Sequence, residues 1–148
     1  MNFFWGIVLV VLSSIGYFGQ VITTFWPDTA AKLGLTEPET DVDPTFYVDI
    51  RGEAIWDTAT LWLLPAAGLL LLFNNPVWVY FGLVGGGMYL YFAGRGILVR
   101  REMQRSGIRV GKPETLKVAN IFLVLWGLTA IITIVMAIAA LHPFSGGV

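Results

Sequence analysis

Long apolar runs alternate with short polar connections along this chain, and their spacing predicts the elements. The first run, Phe3–Phe25, is 23 residues of largely apolar sequence interrupted by Gly6, Ser13, Gly16 and Gln20. Asn2 is not the basic region of a signal peptide, so the run reads as a retained transmembrane helix. Trp26 and Pro27 end it at an interface. Asp28 to Gly34 predicts a short interfacial helix, capped by Asp28 and stopped by Gly34.

Residues 49–73, DIRGEAIWDTATLWLLPAAGLLLLF, organise the rest: they begin charged and then run apolar. From 54 to 73 one charge stands in 20 residues, about 30 Å of helix and enough to cross a bilayer. Asp43-Pro44 reads as an N-cap followed by proline at the first helical position, so this helix starts well before the apolar part. Gly52 weakens it and Pro65 bends it. Asn74-Asn75-Pro76 is a tight turn into an antiparallel third span, 77–98. There Gly82, Gly86 and Gly94 recur at multiples of four as a helix-packing face. Trp78, Tyr80, Tyr89 and Tyr91 read as interfacial or packing aromatics. After a basic segment, Pro113 and Glu114 open a fourth helix with its apolar span at 118–141, closed by His142-Pro143. The expected fold is all-α, one transmembrane domain over 1–148 built as an antiparallel four-helix bundle.

Composition agrees with a membrane protein: 56% of the 148 residues are hydrophobic, 13% are charged, and the mean hydropathy is +0.73. The absence of cysteine excludes disulfides, thiolate metal sites and thiol catalysis. A net charge of −1 hides a strong asymmetry. Seven of the nine Lys and Arg lie between Arg95 and Lys117, two lie in the first connection (Lys32, Arg51), and the Asn75 turn has none. The positive-inside rule then makes the connections 26–53 and 99–117 cytoplasmic and both termini external, in a bacterial inner membrane. Residues 28–53 carry seven acids and two bases, and residues 95–117 seven bases and two acids. Two such loops on one side predict a complementary cap, with Arg100, Arg101, Arg105, Arg109 and Lys112 also available to anionic lipid headgroups.

The polar residues within the spans converge on that same end: Gln20, Arg51, Glu53, Asp57, Thr60, Arg95 and Asn120. Glu53, Asp57 and Thr60 share one helical face. Two readings fit this set: a shallow pocket for a headgroup, quinone ring or proton, or a buried structural network. An isolated carboxylate at the depth of Asp57 favours its neutral form. Counting outward from Asn75, Asp57 is 18 residues back and Arg95 20 forward, which predicts an Asp57–Arg95 pair inside the bundle. Helix-borne metal sites of this kind add Glu-x-x-His pairs, which the chain lacks, so no metal is expected. No catalytic residue is assigned, because the sole histidine, His142, falls on the opposite side. The basic segment lacks interleaved aromatics, so lipid and the acidic loop are its expected partners rather than nucleic acid.

WPDTAAKLGL after the first span and YVDIRGEAIWD leading into the second, followed by a tight hairpin and a fourth span, resemble the DoxX-like group of small four-helix membrane proteins. That resemblance implies an accessory membrane subunit, in some members associated with quinone-linked oxidoreductases, with Arg51, Glu53 and Asp57 in the recurrent charged segment. The long basic connection departs from the pattern. The leading functional expectation is therefore a noncatalytic accessory subunit bound to another integral membrane protein or to itself, without a cofactor. The second is a carrier or a quinone- or lipid-binding protein using the cytoplasmic polar pocket. An enzyme with Glu53 or Asp57 as general base stands third.

Overall fold

A computed structural model describes residues 2–141 and is helical nearly throughout, with no strand among those residues. Helix α1 is Asn2–Phe25, α2 Pro27–Lys32, α3 Pro44–Thr60, α4 Leu63–Leu72, α5 Trp78–Arg105 and α6 Pro113–Leu141. The expected helix stop at His142-Pro143 lies outside the described residues. Three segments are long and apolar enough to cross a membrane: Phe3–Phe25, Pro44–Leu72 and Pro113–Leu141. Helix α5 has the length, at 28 residues, but its glycines and its basic last turns keep it out of that set.

Local sequence explains the boundaries. Asp43 caps α3 by accepting from the Thr45 N–H at 2.8 Å, and Pro44 takes the first position. Contrary to the expectation from sequence, Asp28 does not cap α2. Pro27 occupies its first position after Trp26, which leaves Asp28 inside the first turn. Gly34 has φ +71°, a conformation that stops a helix without strain only in glycine. The column formed by α3 and α4 breaks at Leu61–Trp62, one turn before Pro65. Proline has no N–H for the Leu61 carbonyl, and its ring crowds that carbonyl. The Trp62 indole turns back to donate to Ala59 O at 3.1 Å.

Helix α1 lies against α3 and α4, α4 against α5, and α5 against α6. Their common core holds Leu9, Leu61, Leu64, Leu71, Tyr89, Phe92, Leu123 and Ala130. Glycine permits the closest approaches: a Cβ on Gly68 would lie 2.9 Å from Val10 N, and one on Gly85 2.7 Å from Leu64 N. Gly82 and Gly86 face Thr133 and Ile134 of α6, while Gly94 has nothing within 4 Å. Helices α1 and α6 meet only sparsely. Two indoles span their seam, Trp126 Nε1 donating to Leu12 O at 2.8 Å and Trp5 Nε1 to Thr133 Oγ1 at 3.2 Å. The outer faces are apolar, with Phe4, Val11 and Phe18 exposed on α1 and Val118, Leu128 and Val135 on α6. That is the surface of a protein solvated by lipid.

The acidic and basic connections clasp each other at one end. Asp43 N donates to Arg109 O at 2.8 Å, Arg109 Nη2 to Val42 O at 3.2 Å, and Lys112 N to Glu37 Oε1 at 3.1 Å. Lys112 Nζ pairs with Asp41 Oδ2 at 2.9 Å. Beneath them Val42, Phe46, Ile50 and Val110 form a second small core.

Candidate functional site

Helix α3 carries Asp49, Glu53 and Asp57 at every fourth position, hence on one face. Arg95 reaches that face from α5, its Nη2 2.5 Å from Asp49 Oδ1 and its Nη1 3.0 Å from Glu53 Oε1. The first contact is a hydrogen bond. The second is an ion pair in which the Glu53 oxygen lies off the donor direction and so lacks a hydrogen bond. The expected Asp57–Arg95 pair does not form. The level drawn by counting from Asn75 assumed an unbroken helix, whereas residues 61–62 are a turn. Arg95 also gains two carboxylates and remains 23% exposed by turning toward the loops, which costs less than following one acid into the core.

Asp57 is 3% exposed, and its Oδ2 has no hydrogen-bond partner. Tyr89 beside it is fully buried and donates its hydroxyl to Ser13 O at 2.5 Å. Arg51 leaves the acidic face and holds the end of α1, donating to the carbonyls of Thr23 and, at 3.1 Å, of Thr24. Thr60 donates to Trp56 O at 2.9 Å and takes no part in the network. Asn120 is exposed, in an outer groove with Gln104 and Lys117. Of the seven residues grouped by sequence, the structure therefore brings Glu53 and Arg95 into direct contact, with Asp57 one turn deeper.

Gln20 belongs elsewhere, to a cavity of about 220 Å³ between α1 and α6 under the loop clasp. Gly16 and Gly19 of α1 and Phe122 and Trp126 of α6 form its sides, Phe46, Ile50 and Phe92 its inner wall, and Leu35, Glu37 and Val110 its cover. Arg100 enters it from α5. One Arg100 nitrogen donates to Gly96 O at 2.9 Å, and the guanidinium lies 5.7 Å from the centre of the Phe46 ring. No carboxylate comes within 4.0 Å of it among the described residues. The other basic residues of the segment are disposed differently. Arg105 pairs with Glu102 at 3.3 Å, Arg109 and Lys112 hold the acidic loop, and Arg101 is exposed.

Sequence reasoning did not find the cavity. Its walls come from four helices and both loops, and only the spacing of Phe122 and Trp126, or of Phe46 and Ile50, marks each as one helical face. In the clasp the Lys112 ammonium holds the Asp41 carboxyl below its usual range, and Asp41 holds Lys112 above its own. The backbone N–H of Thr45 lowers Asp43 in the same way. No group of three His, Cys, Asp or Glu fit to hold a metal occurs among the described residues. No family model, curated protein or solved structure matches the chain.

Proposed function

We propose that this is a four-span membrane protein, α5 being the remaining span, that binds a lipid-like molecule with an acidic head group in the cavity between α1 and α6. The single observation that carries the reading is Arg100: a guanidinium with no carboxylate within 4.0 Å among the described residues, in a cavity whose walls are mainly apolar and aromatic, with Gln20, Thr36, Glu37 and Thr115 its other polar residues. Arginine's planar fork suits a carboxylate or phosphate, and the aromatic walls suit an acyl chain. The position of α5 between α4 and α6 supports its crossing with them. The loop clasp, rich in Lys and Arg, faces the cytoplasm of a bacterial inner membrane under the positive-inside rule. The glycine face that suggested association with another chain is covered internally at Gly82 and Gly86, so the cavity, rather than a partner subunit, carries the reading.

The test uses a brominated fatty acid as quencher of Trp126, read as the difference from a Trp126→Phe protein. Saturable quenching is expected. Gly19 lines the cavity with nothing within 4 Å of an added Cβ, so Gly19→Leu should fill the space without disturbing the backbone. Gly19→Leu and Arg100→Gln should each weaken binding about ten-fold or more, ~1.4 kcal/mol. Quenching that both variants leave unchanged would overturn the site. A short-chain quinone that competes equally well in Arg100→Gln would overturn the acidic head group.

A further inference from the structure

Asp49, Glu53 and Asp57 present three carboxylates on one face of α3, and α5 brings two guanidinium groups toward them, Arg95 in contact and Arg100 farther off. Fully ionised, this group carries one negative charge too many. The surplus falls on Asp57, because Arg95 is engaged by the two outer acids. Other elements do not relieve it. Helix α5 adds Tyr89, whose hydroxyl is committed to Ser13 O, and α1 adds Tyr17 behind Tyr89. Neither α4 nor α6 beyond Lys117 contains a titratable residue among those described. A buried carboxylate without an ion-pair partner is the costliest member of such a group, and one proton cancels the excess.

Exposure falls stepwise along the face. The Asp49 side chain is 25% exposed, that of Glu53 8%, and Asp57 as a residue 3%. We propose that Asp57 is an exchangeable proton-binding site, reached from the loop side through Asp49 and Glu53. Each hand-over breaks one O–H bond and forms the next, from hydronium to Asp49, to Glu53 and to Asp57, and no other bond changes. The proton comes from water at Asp49, passes along the carboxylates and returns the same way. Arg95, bridging the outer two acids, sets how readily they hand it inward. The site shares Arg100 with the cavity, and an acidic head group there would add to the negative surplus rather than remove it.

Infrared difference spectroscopy on the full-length protein in lipid nanodiscs tests it. Titration between about pH 5 and 9 should reveal the C=O stretch of one protonated, D2O-sensitive carboxylic acid, declining as pH rises. The band should vanish in Asp57→Asn, whose amide has the shape of the neutral acid, and persist in Asp49→Asn. Carboxyl-labelled aspartate in the unmutated protein gives a reading that needs no variant to fold. The band should move with the aspartate label and stay put with labelled glutamate. A band that follows glutamate, that survives Asp57→Asn, or that never forms would overturn the proposal.

Discussion

At the residue scale the sharpest constraint is a single missing side chain. A Cβ on Gly85 would meet the backbone of Leu63 and Leu64, at 2.9 Å from one carbonyl carbon and 2.7 Å from the other's nitrogen. Backbone cannot swing aside as a side chain would, so Gly85→Ala should destabilise by about 1–3 kcal/mol in thermal unfolding. Gly94→Ala meets nothing within 4 Å and should stabilise by roughly 0.5–1 kcal/mol through helix propensity. Equal effects at the two positions would refute the packing. Spacing alone marked Gly82, Gly86 and Gly94 as one face, yet α6 meets α5 beside Gly94, at Ala93 and Gly96, while Gly94 itself meets nothing within 4 Å. In the run Gly85-Gly86-Gly87, sequence shows that small residues are wanted but not which of them touches α4. The partner of Asp57 was unreadable for a related reason: periodicity gives the face of a helix, but the choice of an arginine among three acids depends on desolvation.

At the element scale, most of the helices were legible. Asp43-Pro44 marked the start of α3, Pro65 marked a bend, and charge complementarity marked the meeting of the two connections. The backbone pairing within that clasp was not legible, since hydrogen bonds such as Asp43 N to Arg109 O leave no trace in composition. Its pH response follows from the two exposed partners. Asp41 is held low when folded, so its contribution is present above the unfolded value near ~3.9 and is lost as pH falls through the folded one. Lys112 is held high, so its contribution is present below ~10.4 and is lost as pH rises through the folded value. Hydrogen-exchange protection of the Asp43 and Lys112 amides, corrected for intrinsic rates, should therefore be flat from about pH 5 to 9 and fall in strong acid. It should also weaken with salt, because the Asp41–Lys112 pair is solvent-screened. A transition near neutrality would mean that another group governs the clasp.

At the scale of the whole molecule, the direction of α5 decides the topology. Asn75 precedes it and Ser106 follows it, and the chain has no native cysteine to confuse a labelling experiment. Single cysteines at Asn75 and Ser106 should react with an impermeant maleimide from opposite faces of sealed vesicles, Ser106 from the cytoplasmic one. Reaction of both from one face would leave three crossings and sink the four-span reading.

The seam between α1 and α6 bears on how a guest would arrive. Those two helices are joined less by interlocking side chains than by the indoles of Trp5 and Trp126, which reach across like crossbars. Trp126 is also a wall of the cavity. Swinging that one ring breaks one hydrogen bond, to Leu12 O, and its contact with the Phe92 ring of α5, and leaves the packing of α1 on α4 untouched. A doorway of this kind opens sideways into hydrocarbon. On the proposed reading the bilayer is then both the guest's solvent and its reservoir, so occupancy follows the molecule's mole fraction among the lipids rather than its vanishing concentration in water.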